Sequence, residues 1–211
     1  MRSRTWHIPV RQWFPPHDPV AVIMAQLSVL REDLYLELQG VKEDQIQALD
    51  DNGDNWRSIY FFRNSTKTLF EIRNAFEKLK QEKQFLKHLS LQPLFHKAYK
   101  DFDTAMTRSH KLIKKLRHET AGHLNHTAFK TALENIAPDT KQLFQGGNSA
   151  KTTHYKFALE FLGAIFLGEK TDDVESEWKR ILQSTSDVSF KALKAIDLVF
   201  NAYVDHRGFQ C

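Results

Sequence analysis

The residues best suited to chemistry in this 211-residue chain lie between Arg108 and His126. Arg108, Lys111, Lys114, Lys115 and Arg117 fall close together with His110 and His118, and no acidic residue interrupts them. Lys111, Lys114, Lys115 and His118 recur at three- and four-residue steps, which places them on one side of a helix. A polyanion backbone would fit such a side. A solvated face whose cations complement the helix C-terminus uses the same residues. The run continues as Arg117-His118-Glu119-Thr120-Ala121-Gly122-His123. Cleavage of RNA by its own 2′-hydroxyl needs a proton acceptor, a proton donor and charge stabilisation at phosphorus. Histidine exchanges protons near neutral pH, and arginine clamps non-bridging phosphate oxygens.

An arginine followed four to six residues later by a histidine occurs three times, as Arg2/His7, Arg11/His17 and Arg117/His123. Only the third has a polar follower, a basic helix before it and an apolar helix after it. This segment, over about residues 108–130, resembles the Arg-x(4–6)-His signature of the HEPN superfamily (higher eukaryotes and prokaryotes nucleotide-binding domains). The residue after the family's arginine is commonly Asn, Asp or His, and here it is His118. The resemblance implies an all-α bundle and a metal-independent endoribonuclease or RNA-binding protein of a toxin–antitoxin or phage-defence type. It implies Arg117 and His123 as catalytic residues, with Arg108, Lys111, Lys114, Lys115 and His118 holding the RNA. It further implies a homodimer, an antitoxin or other protein partner, and no cofactor or metal. Six residues of straight helix turn Arg117 and His123 about 120° apart. A break at Gly122, or a second protomer, must therefore bring such pairs together.

Two other readings use the same residues. Glu119, His123 and His126 fall within about 60° on a continuous helix and would offer metal ligands. The histidines of His118-Glu119-x-x-x-His123 are five apart, however, so this is not the zinc-peptidase pattern. In the other reading the chain is a non-catalytic helical interaction module of the same fold, with His123 capping a helix and Arg117 paired to an acid. Isolated histidines such as His88, His96 and His154 read as surface or core residues. No phosphate-binding glycine loop, nucleophile elbow or catalytic cysteine competes with the Arg108–His126 segment.

The elements that must position these residues are helical. The chain carries 8 Gly and 6 Pro, and it lacks alternating β-branched runs. An all-α bundle of about six to eight helices is expected. Asp18-Pro19 supplies an N-cap and a first-turn proline, and behind it Val20, Ile23, Leu27, Leu30, Leu34 and Leu38 trace one helical face. A second long helix is expected over 56–82, through Ile59, Phe62, Leu69, Phe76 and Leu79. There Thr66 and Arg73 either interrupt a drifting stripe, with Phe70 and Ile72 taking over, or face a polar site. One or two helices surround Pro93, a helix from about 104 runs into the motif, and another covers Leu124–Ile136. Later helices are expected to begin near 150, 172 and 187, the second capped by Thr171.

The domain reading follows these elements. Residues 1–17 form an extended arm whose Trp6, Trp13 and Phe14 pack on the bundle, and 18–138 form the main bundle with the motif. Residues 139–149 form a loop containing Gln145-Gly-Gly-Asn-Ser149, and 150–211 form C-terminal helices on the same bundle. Apolar residues at 41%, with 16 Phe, suffice to build a core and exclude a disordered chain. The lone Cys211 excludes a disulfide framework and a cysteine zinc site. Phe157–Leu167 contains Glu160 and is too short for a bilayer core of about 30 Å. The first residues lack the apolar stretch of a signal peptide. A cytoplasmic protein without membrane segments is therefore expected. The net charge of +4 tolerates a polyanion partner without identifying one.

Overall fold

The computed structural model describes residues 9–40, 54–90, 93–118, 126–135, 144–145, 154–155, 165 and 174–208. The protein is all-α. The bounded helices are α1 (Val10–Trp13), α2 (Pro19–Gly40), α3 (Asp54–Leu79), α4 (Lys83–Ser90), α5 (Pro93–Arg108), α6 (His110–Leu116), α7 (His126–Asn135) and α8 (Val174–His206). Among the described residues the extended backbone is confined to β1 (Phe144–Gln145) and β2 (His154–Tyr155). These pair antiparallel, with Phe144 opposite Tyr155 and Gln145 opposite His154.

Where α2 begins, Asp18 does what its side chain predicts. Its Oδ1 accepts the N–H groups of Val20 at 2.9 Å and Ala21 at 3.2 Å, which satisfies two donors that an α-helix leaves open. The face buried by α2 carries Ala21, Ile23, Met24, Leu27 and Leu34. Val20, Leu30 and Leu38 of the expected stripe are half-buried. In α3 the stripe does drift, so that Phe70, Ile72 and Ala75 are buried together with Phe62, Leu69, Phe76 and Leu79. Thr66 is buried as well, but its hydroxyl donates to the Arg63 carbonyl of its own helix at 2.7 Å. Ser65 does the same toward Phe62. The helix itself thus satisfies these buried hydroxyls.

Three expected boundaries differ. The single helix expected to run from about 104 into the motif is broken at Ser109, so α5 and α6 are separate. The helices expected from 172 and 187 are one, the 33-residue α8, because no Gly or Pro interrupts Val174–His206. Thr171, its expected cap, lies outside the described residues. The helix expected near 150 meets a β-pair at 154–155, where aromatic Phe144 and Tyr155 flank the Gly-Gly stretch.

The chain divides into two compact units. The first comprises residues 1–37, 68–108 and 187–211; the second comprises 38–67 and 109–186. Both α3 and α8 contribute residues to each unit.

In the first unit, the residues before α2 pack onto α8. The Phe14 ring stacks on Tyr203 at 6.1 Å, and the Tyr203 hydroxyl donates to the Trp13 carbonyl. Arg207 pairs with Asp18 at 3.3 Å, and Arg31 with Asp197 at 3.1 Å. Trp6 lies outside the described residues.

In the second unit, Phe62 of α3, Leu116 of α6 and Ile181 of α8 form a buried cluster. Ile59, Leu112, Phe129 and Leu182 pack against it. This cluster fixes the rotation of α6, and therefore which of its side chains meet water.

Candidate nucleic-acid interface

The helix α6 begins where Ser109 leaves helical geometry, at φ −88° and ψ 2°. Its first turn closes by a bond from the Ile113 N–H to the Ser109 carbonyl at 2.8 Å. Ile113 and Leu116 are fully buried. At about 100° per residue, Lys111, Lys114 and His118 then point about 130–170° away from that buried stripe. All three are exposed. Lys115 lies beside them and is half-buried, in keeping with a lysine that lays its stem along the protein and its ammonium in water.

Arg117 occupies a different position. The α-helical period puts it about 70° from the buried stripe, and it is half-buried. Its N–H is shared between the carbonyls of Ile113 and Lys114, and Arg117 and His118 enter a wider, π-helical turn. Such turns reorient the side chains that follow them.

The electrostatics of this face are simple. Among the described residues, Lys111, Lys114 and Lys115 form no ion pair. Lys114 and Lys115 stand in the last turn of α6, where the partial negative charge of the helix end favours cations by about 0.3–1 kcal/mol each. The helix end thus tolerates its own crowd of positive charge. That crowd remains available to an incoming anion.

The structure therefore brings Lys111, Lys114, Lys115 and His118 onto one helix, with Arg117 on its flank. Arg108 is exposed and closes α5 in the other unit. Glu119, Gly122 and His123 lie outside the described residues, and so does the Arg117–His123 geometry. Of the metal-ligand trio, His126 is described: it is the exposed first residue of α7. Among the described residues no three His, Cys, Asp or Glu side chains gather as a metal cage. Among them, too, no helix is long and apolar enough to cross a membrane.

No family model, curated protein or solved structure matches this chain. What α6 can do chemically follows from its own residues. Lys111 to His118 spans about 10.5 Å of helix axis, or about three nucleotide steps at ~3.4 Å each along a stacked strand. The face suits a phosphate backbone in length and sign, and carries little that would read bases. Two features escape sequence inspection: the break at Ser109 and the π-turn at Arg117. Ser109 is a cap-type residue inside a basic run, which is the one local signal for the break.

Proposed function

We propose that the chain is a HEPN-like RNA-binding protein that cleaves RNA without a metal ion, acting as a homodimer. The observation that carries this reading is the exposed, acid-free face of Lys111, Lys114 and His118, set opposite the buried Ile113 and Leu116. In this reading the lysines hold the RNA backbone, and Arg117 stabilises charge on the scissile phosphate. His123 takes the proton of the 2′-hydroxyl, whose oxygen attacks phosphorus. The 5′ oxygen leaves with a proton returned by a histidine of the second protomer. The products are a 2′,3′-cyclic phosphate and a 5′-hydroxyl. A protein antitoxin that covers the basic face would silence such an enzyme.

The test is incubation of single-stranded RNA in EDTA with wild type, Arg117→Ala and His123→Ala. Cyclic-phosphate ends that form with wild type and disappear with both variants are the expected result. Cleavage unaffected by either substitution would refute the assignment of these two residues. Binding without cleavage by wild type would leave a non-catalytic RNA-binding module.

A further inference from the structure

In the first unit, the last turn of α4 and the end of α8 each present a histidine, and the two imidazoles meet. The His88 and His206 ring centroids are 4.8 Å apart, with planes inclined at 51°. Phe85 supports both, edge-on to His206 at 5.5 Å and stacked near His88 at 6.3 Å. The Nε2 of His88 is shielded from water and has no hydrogen-bond partner. His206 is exposed and His88 half-buried, so the pair opens to solvent on the α8 side.

The separation suits two ligands of one ion. A metal–nitrogen bond of about 2.0–2.1 Å plus an imidazole ring radius of about 1.1 Å puts each centroid about 3.2 Å from the metal. Centroids would then stand about 5.2 Å apart at a tetrahedral angle and about 4.5 Å apart at a right angle. The observed distance falls between these limits. A half-turn about χ2 exchanges the positions occupied by the ring nitrogens and carbons, so either histidine can aim a nitrogen without moving its backbone. The surroundings also favour a cation. Both histidines lie in C-terminal turns, where helix dipoles point their negative ends; of the neighbouring cations, Lys87 is exposed and Arg207 is already paired with Asp18.

The geometry points to a divalent transition-metal site formed by His88 and His206, with zinc the ion that imidazole ligands and a redox-silent role suit best. Among the described residues no third histidine, cysteine or carboxylate joins the pair. The ion binds two neutral ring nitrogens and clamps α4 to the end of α8. This inference does not depend on the proposed ribonuclease activity, since it concerns other residues and another unit.

The test uses the full chain, stripped of metal and titrated with Zn2+ alone. Histidine-ring NMR signals are followed alongside calorimetry and thermal melting. The expected result is that the His88 and His206 signals move together and saturate at one ion per chain, while the melting temperature rises. His206→Gln, at an exposed position, should weaken binding about tenfold or more and abolish the thermal shift, whereas His96→Gln should do neither. The inference is overturned if wild type binds no Zn2+. It is equally overturned if the two signals stay put at saturation, or if His206→Gln binds as tightly as wild type.

Discussion

Removing the cations of α6 should change how RNA binding responds to salt, and the size of that change follows from the structure. The perturbation is Lys111→Gln, Lys114→Gln and Lys115→Gln together. Glutamine keeps helix propensity close to that of lysine, and the buried Ile113 and Leu116 are untouched. With these three lysines and Arg117 each neutralising one phosphate, log K should fall against log salt with a slope of about −2.8 for a single strand. Affinity then drops roughly 50-fold between about 50 and about 200 mM salt. With Arg117 alone remaining, the slope is about −0.7 and the drop about 2.6-fold. His118 stays in every variant, so its contribution cancels. Fluorescence anisotropy with a short labelled oligoribonucleotide measures both slopes. A control pair, Lys97→Gln with Lys100→Gln, removes exposed charge from α5 in the other unit. Triple-variant and wild-type slopes that agree within about 0.5 would refute the interface. So would a control pair that flattens the slope as much as the α6 variant does.

Asp18→Ala should destabilise the chain by about 1–2 kcal/mol in urea titrations, because it removes both the α2 cap and the Arg207 ion pair. Asp18→Asn keeps a capping oxygen and should cost less than about half of that. Gly40→Ala should also destabilise, by about 1–3 kcal/mol, since a β-carbon there would overlap the Phe61 ring. The added helix propensity of alanine, about 1 kcal/mol, does not offset the clash, and in a Phe61→Ala background the penalty should vanish. At alkaline pH three groups act in one direction. Burial raises the phenols of Tyr99 and Tyr203. For Lys80, burial acts to lower the ammonium, but hydrogen bonds with Glu77 and Tyr99 outweigh it and raise it. Each folded-state group holds its proton more tightly than in the unfolded chain. Their contribution is therefore intact below about pH 10 and declines as pH rises through the folded values. Denaturant titrations from about pH 8 to about pH 11.5 should show the decline, made shallower by Tyr203→Phe.

The sequence by itself determined what local chemistry can determine. Asp18-Pro19 announced the start of α2 because a carboxylate and a fixed φ satisfy helix-end geometry without help from the rest of the chain. The spacing of Phe62, Leu69, Phe76 and Leu79 announced α3, because a 3.6-residue period leaves an apolar stripe that has to be buried. The basic character of Lys111, Lys114 and Lys115 was likewise legible in one dimension. The tertiary structure decided the rest. Whether Lys111 and Lys114 meet water depends on the rotation of α6, which Phe62 and Ile181 fix from distant parts of the chain by burying Leu116. The same packing leaves Arg117 half-buried on the flank, a distinction that a run of cations does not contain. That α8 runs unbroken through residue 187 is permitted by the absence of Gly and Pro and secured by burial on both sides, at Ile181 and Thr185 before it and Val188 and Ala192 after it. His88 and His206 are 118 positions apart and look isolated in sequence. They become neighbours because Phe85 and Tyr203 pack together and carry their helix ends with them.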